Sequence, residues 1–267
     1  MRDTISRQQI DFYQENGFII IEDFLAPDEL EEWRRCVDEA VAQRDGRRHA
    51  RDDAPASVDE DRYYNNVFVQ RINLWTDHAG MRTLMHDERL GRMATLLSGT
   101  EGIRIWHDQA LNKPPWGNPT AWHLDVPYWS FSSRQAISIW VALDDSTRDN
   151  GCLYFLPGTH RSATFDNVRI GENLRDLFRV YPQWAQLKSV AAPMRAGSCS
   201  FHNGLLAHGA AANMTPGWRR AMTCAYMPDG SVFNGQKNIL PPDLFARLQV
   251  GDVLDVDEQN PLLWRRD

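Results

Sequence analysis

His123 and Asp125 stand two residues apart in Ala121-Trp122-His123-Leu124-Asp125-Val126-Pro127-Tyr128-Trp129, a run rich in aromatic and β-favouring residues. Alternate residues of a strand point to the same face. An imidazole and a carboxylate at this spacing can therefore grip one ion. By itself a His-x-Asp pair carries little weight, because a chain with 8 histidines supplies one readily by chance. An iron centre of the two-histidine, one-carboxylate type needs a third ligand from another strand and leaves one face of the octahedron open. His208, in the small-residue run Gly204-Leu205-Leu206-Ala207-His208-Gly209, is the candidate. His202 is the rival, but Phe201-His202-Asn203-Gly204 reads as a turn, and His160 in Pro157-Gly158-Thr159-His160-Arg161 reads as a structural hydrogen-bonder. His86-Asp87-Glu88 repeats the spacing at a helix start, where residues two apart do not face each other.

Two β-like stretches support a pocket near such a site. In 218–227, Arg219, Ala221, Thr223 and Ala225 share one face, opposite Arg220, Met222, Cys224 and Tyr226. In 134–144, Ala136, Ser138, Trp140 and Ala142 oppose Ile137, Ile139, Val141 and Leu143. Each stretch offers one large functional side chain among small neighbours. Burying Arg219 without an anion is costly, and a dicarboxylate would supply that anion in bidentate fashion.

The elements that must position these groups change character along the chain. Ser6-Arg7-Gln8-Gln9 has the form of a capping box and Gly17 marks a helix end, which predicts a helix over 7–16. A strand follows at 18–21. Pro27 with Leu30, Trp33, Val37, Ala40 and Val41 predicts an amphipathic helix to about residue 44, with Trp33 in the core. Residues 45–61 are charged and aperiodic and read as a loop, with an active-site lid as one reading of it. Two short helices are expected over 78–98, the second opening near Asp87 and closing around Ser98-Gly99. Short strands follow at 103–112, 120–127, 134–144, 151–156, 196–201, 205–209 and 218–227. The expected class is α+β with a mainly β sandwich or barrel core and flanking N-terminal helices. One domain over 1–267 is expected, with a mainly helical flank at 1–100, the β core at 101–230 and a C-terminal cover at 231–267. Residues 166–184 read as an insertion carrying a helix, and the tail from Pro228 packs back or covers the mouth.

Composition narrows the partners. A net charge of -7 disfavours nucleic acid and anionic membranes, which want a basic field, so a small molecule is expected. The 10 tryptophans favour a lined pocket. The 4 cysteines have no CxxC spacing and read as buried thiols of a reducing, cytoplasmic compartment. No apolar run reaches the length of a membrane helix, and nothing sets the oligomeric state.

The residues resemble the phytanoyl-CoA dioxygenase family of Fe(II)/2-oxoglutarate-dependent oxygenases. The resemblance rests on Tyr13-Gln14-Glu15-Asn16-Gly17-Phe18, Leu111-Asn112-Lys113-Pro114-Pro115, Trp122-His123-Leu124-Asp125, Asn150-Gly151 with Leu156-Pro157-Gly158-Thr159-His160-Arg161, and His208-Gly209 before Trp218-Arg219-Arg220. It implies a double-stranded β-helix, a jelly roll of cupin type, in which His123, Asp125 and His208 bind iron. It further implies that Arg219 holds the distal carboxylate of 2-oxoglutarate, with Lys113 and Trp140 as further contacts and Gln109 and Asn112 as neighbours. Some relatives carry a hydroxyl residue two places after the distal histidine, where this chain has Ala210. Related halogenases replace the acidic ligand with a small residue, so Asp125 favours hydroxylation by O2 with release of succinate and CO2. Trp116, Tyr128, Trp129 and Phe131 are candidate substrate-pocket residues, with Arg134 as a possible anchor. The alternative is a cupin-like metal-dependent binding protein or a non-oxidative metalloenzyme on the same barrel.

Overall fold

The computed structural model describes residues 1–49 and 63–266. Most of the 45–61 loop, read above as a lid, lies outside the described residues. The first third is mainly helical. Helix α1 (Arg7–Asn16) opens on the expected capping box and closes on Gly17 in the left-handed conformation. Strand β1 (Phe18–Ile21) follows, then α2 (Pro27–Gln43), which buries Trp33, Cys36, Val37 and Ala40 along one stripe. After β2 (Val69–Ile72) come α3 (Ala79–Met85) and α4 (Glu88–Ser98), the latter capped by the Asp87 side chain and ended by Gly99.

The remaining chain is mostly β: β3 (Gly102–Asn112), β4 (Thr120–His123), β5 (Ile137–Ala142), β6 (Leu153–Phe155), β7 (Val190–Ala192), β8 (Cys199–Asn203), β9 (His208–Ala210), β10 (Ala221–Pro228) and β11 (Leu262–Arg265). Two one-turn helices interrupt it, α5 (Leu177–Val180) inside the expected insertion and α6 (Pro242–Phe245) in the tail. The large antiparallel sheet runs β1-β8-β5-β10-β3-β11, with β2 also paired to β3. The smaller sheet runs β4-β9-β6-β7. Among the described residues, no helix is long and apolar enough to cross a membrane.

Residue parity decides what each face of the large sheet does. Ile137, Ile139 and Val141 of β5 and Met222, Cys224 and Tyr226 of β10 pack with helix residues such as Trp33, Met81, Leu90 and Leu97 in one core. The opposite residues, Ser138 and Trp140 of β5 and Thr223 and Ala225 of β10, line a cavity between the sheets. Burying the apolar face under helices leaves the small-residue face free to enclose that space. All 4 cysteines are free and buried.

Three strands had no sequence signal. β2 reads Val-Gln-Arg-Ile and is half-buried; it forms because Val69–Ile72 pairs with the C-terminal half of β3. β7 is only three residues long, and β11 exists because the tail returns to the N-terminal half of β3. Asn238 and Ile239 of the tail also line the cavity.

The smaller sheet carries two of the functional residues on neighbouring strands β4 and β9, where His123 pairs with His208 and Thr120 with Ala210. Gly209 lies between these pairs, and a Cβ there would sit 2.7 Å from the Thr120 carbonyl oxygen. Backbone cannot give way as a flexible side chain can. Gly209→Ala is expected to cost about 1–3 kcal/mol in urea unfolding and to weaken metal binding, because it prises apart the strands that set one histidine against the other.

Candidate active site

His123, Asp125 and His208 converge at one end of the cavity, with one donor atom from each all within 4.8 Å of one another. Asp125 Oδ1 lies 3.5 Å from His123 Nε2 and 3.7 Å from His208 Nε2. Each imidazole is oriented from behind: His123 Nδ1 is 2.8 Å from the Ala121 carbonyl and His208 Nδ1 is 2.9 Å from the Leu206 carbonyl. A carbonyl can only accept, so Nδ1–H donates and the Nε2 lone pair faces inward.

Strand alternation is not what places Asp125. β4 ends at His123, and its register to β9 is broken between Thr120 and His123. Asp125 itself has helical backbone angles and opens the short turn Val126–Tyr128. The N–H groups of Asp125 and Val126 both donate to the Gly204 carbonyl, at 2.9 and 3.0 Å. A pinned turn, not a pleat, thus brings the carboxylate beside His123.

Burial would raise the Asp125 pKa, but the neighbouring imidazoles of His208, His123 and His202 outweigh it and hold the carboxyl well below its ordinary range. Burial, helped by His123, drives the His208 pKa down to about 3. At neutral pH one group is anionic and the other neutral, the states in which each binds a metal.

His202 is not in a turn. It lies on β8, buried, with Nε2 3.5 Å from Asp125 Oδ2, although it stands outside the three-residue ligand cluster. The turn signal Asn203-Gly204 is real, but it begins where β8 ends. His160 links the start of the chain to the turn after β6, with Nε2 3.2 Å from the Gln14 carbonyl.

Arg219 occupies the same cavity, just before β10, in an isolated bridge with Lys113. Its guanidinium is buried, 5.1 Å over the Trp140 ring and 6.0 Å from the Phe68 ring. One bond goes to the Leu111 carbonyl at 3.3 Å, and Nε has no partner among the described residues. Among the described residues no carboxylate pairs with it, and burial lowers its pKa to about 10. Trp140 and Gln109 also line the cavity, with Gln70 Nε2 donating to Gln109 at 2.5 Å. Asn112 does not, because Gln109 and Leu111 take the inward parity of β3 and Asn112 the outward one.

Lys113 is also absent from the cavity wall. Its Nζ donates to the carbonyls of Val67 and Asn118 and sits 4.6 Å over Phe68, behind Arg219. Burial, with the Arg219 charge adding, lowers its pKa to about 6. The unfolded chain then binds more protons than the folded one between about pH 6 and the ordinary lysine value of 10.5, and stability rises with pH across that window. Lys113→Met should flatten the rise, read as a smaller gain in unfolding free energy from about pH 6 to about pH 9. An unchanged gain would count against a buried, largely neutral amine.

The cavity has a volume of about 550 Å³. Tyr128 and Trp129 line it, as does His107, which precedes Gln109 by two on β3 and could have been found from that parity. Arg48, Arg169 and Asn238 also line it from irregular segments that carry no periodic signal. Three sequence candidates lie elsewhere. Phe131 packs edge-on against Trp106 at 5.3 Å within a core cluster. Trp116 is 61% exposed on a loop with positive φ. Arg134 spends its guanidinium on the Ala163 carbonyl at 2.9 Å and on the Phe165 ring.

Comparison with known proteins agrees with this geometry. Mouse peroxisomal phytanoyl-CoA dioxygenase is 26% identical over 249 residues, covering 84% of this chain and 68% of that protein. A methylphosphonate hydroxylase of Gimesia maris is 27% identical over 229 residues, covering 85% and 82%. Among solved structures, the non-heme alpha-ketoglutarate-dependent carbocyclase SnoK from nogalamycin biosynthesis superposes with a TM-score of 0.80 at 26% identity, covering 97% of each chain. The expected fold, a double-stranded β-helix with flanking helices, is borne out. The family model for Phytanoyl-CoA dioxygenase (PhyH) matches residues 13–221, and with its His-Asp-His cluster in place this chain belongs to the phytanoyl-CoA dioxygenase family.

Proposed function

We propose that the chain is an Fe(II)- and 2-oxoglutarate-dependent dioxygenase that hydroxylates an unactivated C–H bond of a small-molecule metabolite, consuming O2 and releasing succinate and CO2. The observation that carries this reading is a buried Arg219 with no carboxylate partner among the described residues, facing the same cavity as a His-Asp-His cluster. Two imidazoles and one carboxylate suit Fe(II), and they leave coordination positions free. His123 and His208 would hold the metal through Nε2 and Asp125 through Oδ1. Bound together, iron, 2-oxoglutarate and O2 supply the oxidising power.

Arg219 would take the distal carboxylate of 2-oxoglutarate, as a buried guanidinium calls for an anion. Trp140 and Phe68 wall that end, Gln109 borders it, and Lys113 supports it from behind through Val67 and Asn118. Asn112 remains a supporting neighbour on the far face of β3. The substrate would enter between Tyr128, Trp129 and the tail residues Asn238 and Ile239. Enclosing the reacting carbon there keeps water away from it. Phe131 and Arg134 shape that wall indirectly, one by packing on Trp129 at 5.5 Å and the other by holding the segment around Ala163.

Hydroxylation draws support from the hydroxylase of Gimesia maris. The likeness to a carbocyclase favours a second outcome, oxidative ring closure, within the same reaction class. Substrate-stimulated succinate release across a metabolite panel tests both, followed by mass analysis of the product. Gain of one oxygen supports hydroxylation, whereas loss of two hydrogens points to ring closure. Metal binding with no iron-dependent succinate would instead indicate a binding protein or a non-oxidative metalloenzyme.

A further inference from the structure

We infer that His202 and Ser138 form a cradle that fixes the Asp125 carboxylate, presenting one oxygen to the metal and withholding the other. This rests on the metal reading given above.

The two carboxylate oxygens of Asp125 keep separate company. Oδ1 faces His123 Nε2 at 3.5 Å and His208 Nε2 at 3.7 Å. Oδ2 faces Ser138 Oγ at 3.5 Å and His202 Nε2 at 3.5 Å. Ser138 and His202 are register partners on β5 and β8, so their side chains leave one face of the sheet at the same level. They therefore act on one atom from two adjoining strands.

Asp125 needs such a cradle because the bonds that pin its turn are made to backbone atoms, among them those of the Asp125 and Val126 N–H groups to the Gly204 carbonyl and of the Asn167 side chain to the Leu124 carbonyl. Those bonds place the Cα and leave the side-chain torsions free. The His202 ring, by contrast, is held on β8, with centroids 4.6 Å from His208 and 5.6 Å from Phe155. Its Nδ1 is buried with no partner among the described residues, and its Nε2 faces Asp125. With Nε2–H and the serine hydroxyl both directed to Oδ2, that oxygen is occupied and Asp125 binds through Oδ1 alone. A one-oxygen carboxylate keeps a coordination position that a two-oxygen carboxylate would consume. His202 and Ser138 are thus positioning residues, acting on the metal through Asp125.

The test is Co(II) binding to the full-length chain freed of metal, followed by d–d absorption and titration, for the parent, His202→Phe, His202→Gln, Ser138→Ala and His202→Phe/Ser138→Ala. His202→Phe keeps a ring of similar shape without a donor, and its affinity should fall about ten- to a hundredfold with an altered spectrum. His202→Gln, which retains an N–H, should recover most of the loss. Ser138→Ala should weaken binding less, and the double variant should fall short of the sum because both residues act on one oxygen. Unchanged affinity and spectrum in His202→Phe overturn the proposal. So does a lowered melting temperature of the metal-free His202→Phe chain with no recovery in His202→Gln, which marks a role in packing alone. Pulsed EPR of the Cu(II)-loaded parent showing a third imidazole, lost in His202→Phe, would make His202 a ligand and overturn it as well. If the parent itself binds no Co(II), the metal reading falls, and the cradle falls with it.

Discussion

Asp125→Asn is expected to lower iron-dependent succinate formation by at least about a hundredfold, the scale of 3–5 kcal/mol for removing one member of a buried charged cluster. An amide keeps the shape but loses the charge, and it directs either a weaker oxygen or an N–H donor toward the two Nε2 atoms 3.5 and 3.7 Å away. The metal-free protein should behave differently. Its imidazole neighbours hold the Asp125 carboxyl below its ordinary range despite burial, so the metal-free fold favours the charge, and Asp125→Asn should keep the fold with a lowered melting temperature. Loss of turnover in a chain that still unfolds cooperatively, measured by succinate assay and calorimetry on one preparation, separates a missing metal ligand from a failure to fold. Full turnover in Asp125→Asn would sink the assignment.

Arg219→Met is expected to raise the 2-oxoglutarate concentration needed for half-maximal succinate release by a factor set by about 2–5 kcal/mol, at least roughly thirtyfold. The guanidinium is buried between Trp140 and Phe68, and among the described residues no carboxylate offsets it. Such a charge costs stability until an anion arrives. The parent should therefore gain melting temperature when 2-oxoglutarate is added, and Arg219→Met should gain little. Arg219→Lys should recover only part of the affinity, because a point charge lacks the two-pronged geometry that matches a carboxylate. If both variants bind 2-oxoglutarate as the parent does, its distal carboxylate is held elsewhere.

Much of the fold was legible because it follows from local periodicity. The capping box at Ser6, Pro27 at the start of α2 and Gly99 at the end of α4 each fix backbone within a few residues, and all three stand where expected. The inner and outer faces of β5 and β10 were also legible, since parity within a strand needs no knowledge of its neighbours. Identities alone nominated His123, Asp125, His208 and Arg219, and the structure brings all four to one cavity.

What remained hidden depends on contacts between distant parts of the chain. Parity cannot say where a strand stops, so Asp125 was read as part of a pleat when a turn tied to Gly204 holds it. For the same reason the turn expected at His202 begins only after β8. β2 and β11 form only because β3 offers them an edge, and Asn238 reaches the mouth only because the tail returns. The sequence by itself determined the chemistry available, namely which side chains can bind a metal and an anion and which faces are small enough to enclose them. Tertiary structure alone decided which oxygen of Asp125 meets the histidines, because that choice is made by Ser138 and His202, residues far apart in the chain that only strand pairing sets side by side.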